Sequence, residues 1–415
     1  MKINFWLLAI VLMVVGCKKS PTTTPPPGEE EWDGVVRPAA PLAVSKSSTK
    51  KVFVHLMPWF ETKASNGSWG IHWTMAKGST YPETIVSGRR RIASHYYPMI
   101  GPYASGDTSV IDYQLLLMKL SGVDGLLIDW PGTGTNLGEN MDLPLTAANT
   151  KKLVSRLSKV GLKYALVYED QYVGRYTDKE SAAGVDLKYA ETNYFNDPAY
   201  EKIGDKPLLM VFGPQAIKTG TGWANVFSKL SKAPAFFTLW GQRNQASGTT
   251  TGEYAWIDQS NITRLNNFYS LSYNPGTKVS SVYPGFKSFY AEGGWPGPTW
   301  IIDPVGTSTY EQTLNLALAQ NIEYLQIATW NDYGEGTMIE PTDAANGGYG
   351  YSLLTILQQK LGVSLTQSDL EAVTKFYQVR IANGGNSPVL NKLNQVYYYM
   401  VSLQMDKAKK LLATI

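Results

Sequence analysis

Two acidic residues, Asp332 and Glu335, lie three positions apart directly after an apolar run, Glu323 to Thr329, that predicts a β-strand. In a helical turn this spacing puts both side chains on one face, with Cβ atoms about 5–6 Å apart. Gly334 and Gly336 allow the backbone to turn tightly there. Such a pair fits hydrolysis of a glycosidic bond, in which one carboxyl protonates the leaving oxygen and the other assists attack at the anomeric carbon.

Acidic residues follow two other apolar runs in the same way. Asp129 ends the predicted strand 125–130, and Glu169 and Asp170 follow the predicted strand 163–168. In a parallel barrel the carboxyl ends of the strands and their loops build the active site. The three acidic ends meet on one face only if the sheet is parallel, so their recurrence favours an enzyme. The alternative is that each acid caps the helix that comes next.

The elements that must position these acids alternate along the chain. Beyond residue 50, short apolar runs alternate with segments of helical spacing, which predicts a parallel α/β fold. We expect a TIM-like (β/α)₈ barrel over residues 50–365 and a C-terminal helical extension over residues 366–415. Further strand candidates are 52–57, 206–212, 235–240 and 299–302.

The N-terminus has the features of an export signal. Residues 1–17 carry a lysine at position 2, continue with an apolar run too short to cross a bilayer, and end at Cys17, as in a lipoprotein signal peptide with a lipobox. The alternative is an ordinary signal peptide with a chance cysteine. Residues 18–49 are rich in proline, threonine and glutamate and predict a flexible, disordered tether. Acylation of Cys17 would anchor the protein to a membrane of the bacterial cell envelope, facing the periplasm or the cell surface.

Composition excludes several classes of protein. The formal net charge is only +3 and no basic stripe occurs, so we expect no nucleic-acid partner. The single cysteine excludes an intrachain disulfide and a multi-cysteine zinc site, and the three histidines lack metal-ligand spacing. We therefore expect no metal and no cofactor. The 12 tryptophans and 26 tyrosines supply rings of the kind that stack on the apolar faces of sugars.

The segment from Ile327 to Pro341, with Trp330, Asn331, Asp332, Tyr333, Gly334 and Glu335 at its centre, resembles the active-site segment of glycoside hydrolase family 99. That family comprises endo-α-mannosidases and endo-α-mannanases. The central residues also resemble family 71, the α-1,3-glucanases. The resemblance spans roughly residues 52–355. The other matching blocks include Pro58-Trp59-Phe60, His72-Trp73, Tyr96-Tyr97-Pro98, Asp129-Trp130, Tyr168-Glu169-Asp170-Gln171-Tyr172 and Pro284-Gly285-Phe286.

The resemblance implies an O-glycosyl hydrolase that cleaves an α-linked polysaccharide or oligosaccharide, either α-mannan or α-glucan. By motif, Glu335 takes the place of the general acid and Asp332 that of the base. The blocks and the acidic strand ends also supply the predicted substrate-binding residues. These are Trp59, His72, Trp73, His95, Tyr96, Tyr97, Asp129, Trp130, Glu169, Asp170, Tyr172, Trp330, Asn331, Tyr333 and Glu340.

Two positions depart from the family 99 pattern. Asp332 stands where the family has glutamate, and Gly334 where it has histidine. Family 99 is understood to retain configuration through a 1,2-anhydro sugar, whereas family 71 inverts. The side chain of Asp332 is one methylene shorter than that glutamate, which favours direct activation of water. The departures also leave an alternative open, a catalytically silent glycan-binding lipoprotein on the cell surface.

Overall fold

The computed structural model describes residues 32–76, 82–133, 142–271 and 277–415. Contacts divide the chain into two units, Met1–Val35 and Val36–Ile415. The predicted signal peptide, with Cys17, lies outside the described residues, as does the first part of the predicted tether. The architecture below is that of the second unit.

Parallel strands form a closed barrel in the second unit. Each strand pairs in parallel with the next along the chain, and the last returns to the first, where Lys51 is opposite Tyr324. The strands are β1 (Lys51–Leu56), β2 (Gly125–Trp130), β3 (Lys163–Tyr168), β4 (Lys206–Val211), β5 (Ala235–Leu239), β6 (Gly252–Tyr254), β7 (Thr277–Val282) and β8 (Tyr324–Ile327). The predicted TIM-like barrel is therefore confirmed.

Helices connect the strands and cover the barrel. They are α1 (Thr108–Leu120), α2 (Asp142–Val160), α3 (Lys179–Ala190), α4 (Gly220–Phe227), α5 (Asn261–Ser270), α6 (Ser308–Leu318) and α7 (Ser352–Leu361). Several begin where a polar side chain caps the first turn. Asp107 accepts the backbone N–H of Ser109 at 2.7 Å before α1, for example, which satisfies a donor that the helix leaves unpaired.

Short elements occupy the connections. Ile85–Val86 pairs with Arg89–Arg90, Phe286–Lys287 pairs with Ile301–Ile302, and Lys202–Ile203 pairs with β4, all antiparallel. Single helical turns occur at Lys63–Asn66, Ile71–Thr74, Asp170–Arg175, Glu191–Phe195, Arg243–Ala246, Tyr290–Gly293 and Ala344–Asn346.

The predicted C-terminal helical extension is present. It consists of α8 (Gln367–Ala382), α9 (Ser387–Val401) and α10 (Met405–Leu412). Asp112, fully buried on α1, holds this part of the molecule together through a two-pronged contact with Arg156 of α2 and an ion pair with Arg380 of α8. Because Asp112 is buried, its charge needs these partners.

The predicted tether ends too late at residue 49, because residues 36–49 belong to the second unit. The backbone N–H of Leu42 donates to Val401 and that of Ser47 donates to Leu361, both at 3.0 Å. Val401 and Leu361 are the last residues of α9 and α7, whose final carbonyls have no acceptor role within their helices. Composition alone predicted solvated chain, but this extended segment satisfies those carbonyls.

One predicted strand is wrong and two strands were missed. Within residues 299–302 only Ile301–Ile302 forms a strand, and it pairs antiparallel with Phe286–Lys287 outside the barrel. The barrel positions belong to β6 and β7. β6 has only three residues. β7 contains polar residues that are nevertheless buried, among them Ser280 and Ser281. Its Lys278 donates to the carbonyls of Phe268 and Tyr269 at the end of α5.

Candidate active site

The loop after β8 is fastened to the end of β1. The backbone N–H of Trp330 donates to the carbonyl of His55, a residue of β1, at 2.7 Å. The side-chain amide of Asn331 then pairs with the backbone of Met57 as a neighbouring strand would. It accepts from the N–H of Met57 at 2.9 Å and donates to its carbonyl at 3.0 Å. This anchoring sets the position at which the next residue, Asp332, leaves the barrel.

A tight turn places the two candidate catalytic acids. The N–H of Asp332 donates to the hydroxyl of Thr329 at 2.8 Å, and the N–H of Glu335 donates to Asp332 Oδ1 at 3.0 Å. Gly336 then has φ +70°, in the left-handed region, and a Cβ there would lie 2.8 Å from the carbonyl oxygen of Lys287. Glycine is therefore required at 336, and the turn brings both acids to the same end of the barrel.

The two acids differ in what surrounds their carboxyl groups. Asp332 is 6 % exposed and Glu335 is half-buried. Burial raises the pKa of Asp332 to about 6, although backbone N–H groups of Glu335 and Gly334 stabilise its anion. Burial, and then the negative charge of Asp332, raise the pKa of Glu335 to about 8. The backbone donors thus favour the anion of Asp332, and the charge of Asp332 favours the protonated form of Glu335, as a base and an acid require.

A tyrosine from the loop after β7 completes this pair. The Tyr290 hydroxyl donates to Glu335 Oε1 at 2.9 Å, which favours the ionised form of the glutamate and lowers its pKa. The backbone holds the two loops in register, since the N–H of Phe289 donates to Gly334 at 2.8 Å and that of Lys287 donates to Glu335 at 2.9 Å. No sequence motif predicted Tyr290.

Tyr290→Phe is expected to raise the pKa of Glu335, because the lost hydrogen bond stabilised its anion. A general acid with a higher pKa stays protonated to higher pH, and the enzyme therefore stays active to higher pH. The alkaline limb of kcat/KM should therefore move up by about one pH unit, since a hydrogen bond to a charged group contributes roughly 1.5 kcal/mol. Tyr399→Phe, on α9, is the control. An alkaline limb that stays in place or moves down would exclude this role for Tyr290.

A second carboxyl pair faces the first. Asp129, at the end of β2, and Glu169, after β3, share a hydrogen bond, and Asp129 is close enough to Asp332 for their charges to interact. Burial, followed by the negative charge of Glu169, raises the pKa of Asp129 well above its usual value, and burial raises that of Glu169 to about 7. The structure thus brings the three acidic strand ends together, and the hydrogen bond between Asp129 and Glu169 requires a proton on one of the two carboxyl groups.

An aromatic cleft opens beside Asp129. A cavity of about 240 Å³ is lined by Asp129 and by the rings of Trp59, His72, Tyr172 and Trp295. The His72 ring stacks on Trp59 at 4.0 Å between centroids, and Trp295 meets His72 edge-on at 5.5 Å. Burial lowers the pKa of His72 to about 3, so its ring is neutral. Flat rings beside carboxyl groups suit a sugar, whose faces are apolar and whose edges carry hydroxyls.

Six of the predicted sugar-contacting residues instead lie behind the site. Glu340 is 1 % exposed and accepts hydrogen bonds from Tyr103, Tyr333 and Gln114 at 2.7–2.9 Å. Burial raises the pKa of Glu340 to about 7. The prediction of direct contact is corrected for these six, because their side chains are wholly or almost wholly enclosed: Trp73, Trp130, Trp330, Asn331, Tyr333 and Glu340.

Asp170 is a further correction. Its side chain is fully buried, and both carboxylate oxygens accept backbone N–H groups, from Gln215, Ala216 and Ile217, at 2.8–2.9 Å. Asp170 therefore fixes the loop after β4 and has no free oxygen for a sugar. The neighbouring Glu169 remains at the site.

Asp170→Ala is expected to lower the free energy of unfolding by about 3 kcal/mol, because three backbone donors lose their acceptor inside the protein. Urea denaturation would measure this loss. The control is Asp205→Ala, since the Asp205 side chain is 79 % exposed and pairs with Lys232 at the surface. The control should change stability by less than about 0.5 kcal/mol. Equal effects in the two variants would show that Asp170 is not an anchor.

The remaining predicted contacts lie on the loops that flank the acids. His95 Nε2 lies 3.3 Å from the carbonyl oxygen of Ser288, and the Tyr96 hydroxyl lies 3.1 Å from that of Tyr349. Arg89 lies over the ring of Tyr97, 5.4 Å from its centroid. All three predicted residues are half-buried. Their visible role is to hold the loops, and their contact with sugar stays a prediction.

Sequence reasoning missed Tyr290 and Trp295 because it missed β7, the strand that precedes them. The usable signal was their position, two aromatic residues within a glycine- and proline-rich connection. Among the described residues, no group of three or more histidine, cysteine or acidic side chains is arranged to hold a metal ion. Within the same residues, no helix is long and apolar enough to cross a membrane.

A closed parallel barrel with paired carboxyl groups at the carboxyl ends of its strands is the architecture of many glycoside hydrolases. Comparison with known proteins narrows this class. The chain is 21 % identical over 307 residues to glycoprotein endo-α-1,2-mannosidase of Xenopus laevis and 22 % identical over 313 residues to that of Rattus norvegicus. These matches cover 65 % and 67 % of this chain and 63 % and 64 % of those proteins, so the chain matches less than two thirds of their length. No family model matches.

Solved structures agree in fold. The endo-α-mannosidase of family 99 from Bacteroides thetaiotaomicron superposes with a TM-score of 0.57 at 18 % identity, covering 80 % of this chain and 98 % of that one. A second structure of that enzyme gives a TM-score of 0.56 at 19 % identity, covering 75 % and 96 % of the two chains. The chain is thus similar in sequence to endo-α-1,2-mannosidases and similar in fold to a family 99 endo-α-mannosidase, in agreement with the resemblance that the motifs predicted.

Proposed function

We propose that this protein is a glycoside hydrolase that cleaves α-mannan-type glycans within the chain, with Glu335 as general acid and Asp332 as base. The observation that carries the proposal is the pair of acids in the tight turn after β8, where the N–H of Glu335 donates to Asp332 Oδ1 and the charge of Asp332 reaches Asp129 in the lining of the aromatic cleft. Similarity to endo-α-1,2-mannosidases supports mannose over glucose as the substrate sugar.

In this mechanism the sugar lies against the cleft rings and the Glu335 proton passes to the oxygen of the breaking bond. Asp332 then accepts a proton, either from water that attacks the anomeric carbon or from the 2-hydroxyl of the sugar that undergoes reaction. The Asp129–Glu169 pair can hydrogen-bond sugar hydroxyls, because one partner donates and the other accepts.

A panel of polysaccharides tests the proposal. Reducing ends should be released from α-mannan, and not from α-1,3-glucan or β-1,4-mannan. NMR of the first product anomer then distinguishes water activation, which inverts, from attack by the 2-hydroxyl, which retains. Release from α-1,3-glucan alone would transfer the proposal to the second predicted substrate. Binding of glycans without release from any would favour the glycan-binding alternative.

We also propose that Cys17 carries a lipid that anchors the protein in the bacterial cell envelope, on the basis of its lipobox-like sequence. Expression in a bacterial host should place the full chain in the membrane fraction and allow metabolic labelling with a fatty-acid analogue. Cys17→Ser should lose the label and leave the membrane. A labelled Cys17→Ser variant would contradict the proposal.

A further inference from the structure

One side chain beside the two acids has an unusual backbone and two glycine neighbours. Met75 ends the helical turn Ile71–Thr74 with φ 49° and ψ −155°, a conformation that non-glycine residues rarely adopt. Its side chain is 7 % exposed. Backbone strain of this kind persists where the surrounding structure enforces it, and it clusters at functional sites.

The two glycines make room for the Met75 side chain. A Cβ on Gly293 would lie 2.2 Å from the Met75 sulfur, closer than real atoms approach. A Cβ on Gly334 would lie 3.2 Å from the Met75 terminal methyl. Neither glycine has a positive φ, so backbone conformation does not require glycine at these positions. The space that the missing side chains leave for Met75 does.

The space around Gly334 is also where the catalytic groups meet. The Cβ position of Gly334 lies 3.4 Å from Asp332 Oδ1 and 3.9 Å from the Tyr290 ring, as well as 3.2 Å from the Met75 methyl. The Met75 methyl, the base and the tyrosine that contacts Glu335 therefore surround one point. Backbone hydrogen bonds hold the arrangement, since the N–H of Ala76 donates to Gly293 at 3.0 Å.

We propose that Met75, held between Gly293 and Gly334, is a positioning residue that shields the Asp332–Glu335 pair from water on one side. The inference rests on the proposed function. A thioether suits the role because it fills an irregular gap without offering a hydrogen bond to either acid. The titratable groups that face the two acids are Tyr290 and Asp129, and a substitution at Met75 leaves both of these residues in the sequence.

Burial is the largest cause of the raised pKa of Glu335, so admitting water should lower it. Met75→Ala is therefore expected to move the alkaline limb of kcat/KM down by about one pH unit. Met75→Leu keeps the apolar bulk and should keep the limb in place. A merely structural role would reduce stability in Met75→Ala without moving the limb.

Gly293→Ala provides a second probe that changes no acid. The added methyl displaces Met75, and kcat should fall by about 10-fold, as small misplacements at an active site do. Since every close contact is with the Met75 side chain, from its Cβ to its sulfur, the double variant Met75→Gly/Gly293→Ala should behave like Met75→Gly alone. The control is Gly385→Ala, where an added Cβ meets nothing within 4 Å.

The results separate this inference from the proposed function. An unmoved limb in Met75→Ala, or a Gly293→Ala defect that persists in the double variant, would overturn the role of Met75 while hydrolysis stands. A wild-type protein without activity would overturn the proposed function instead. In that case NMR tests the shielding role of Met75 directly. The titration of Glu335 is followed in protein labelled with ¹³C-carboxyl glutamate, and its signal is assigned with Glu335→Gln. A lower pKa in Met75→Ala supports the shielding and an unchanged one excludes it.

Discussion

Glu335→Gln is expected to lower kcat on an α-mannan oligosaccharide by about 10³-fold, within the range attributed to a general acid. The amide keeps the shape of the side chain but has no proton to give to the leaving oxygen. The loss should shrink to about 10-fold on a mannoside with a nitrophenol leaving group, which departs with little protonation. Both rates can be measured with purified protein.

The control for this variant is Glu371→Gln, an exposed glutamate on α8, which should leave both rates unchanged. The dependence on the leaving group is the diagnostic part of the experiment. If Glu335→Gln lowered kcat by the same factor on both substrates, the glutamate would act in binding or folding and another group would be the general acid.

Asp332→Asn is expected to lower kcat by about 10³-fold or more on both substrates, because the base is needed whatever the leaving group. Affinity for the oligosaccharide should change little, since the amide oxygen can still accept the N–H of Glu335. Calorimetry would measure the binding, with Asp406→Asn, whose side chain is 95 % exposed, as the control. Hydrolysis at near wild-type rate in Asp332→Asn would exclude Asp332 as the base.

Much of the barrel was predictable because β1, β2, β3 and β8 are short, mainly apolar runs. β6 and β7 were not, because β6 is three residues long and β7 buries two serines and a lysine, residue types that the search for apolar runs passes over. The tether was extended too far for a different reason. Its segment 36–49 is held by helix-terminal carbonyls that lie more than 300 residues further along the chain.

Within the site, strand ends predicted Asp129, Glu169 and the acids after β8, since parallel strands bring their carboxyl ends together. Sequence could not show that Asp170 turns away, because it is adjacent to Glu169 and equally acidic. It could not find Tyr290 or Met75 either. Tyr290 approaches Glu335 and Met75 approaches Gly334 through backbone contacts between separate connections.

The most direct test of the account is a crystal structure of Asp332→Asn with an α-mannan oligosaccharide. The account predicts that the sugar occupies the cleft lined by Trp59, His72 and Trp295, with the oxygen of one glycosidic bond within about 3.2 Å of the Glu335 carboxyl. An oligosaccharide bound elsewhere on the protein, or in this cleft with every glycosidic oxygen out of reach of Glu335, would contradict it.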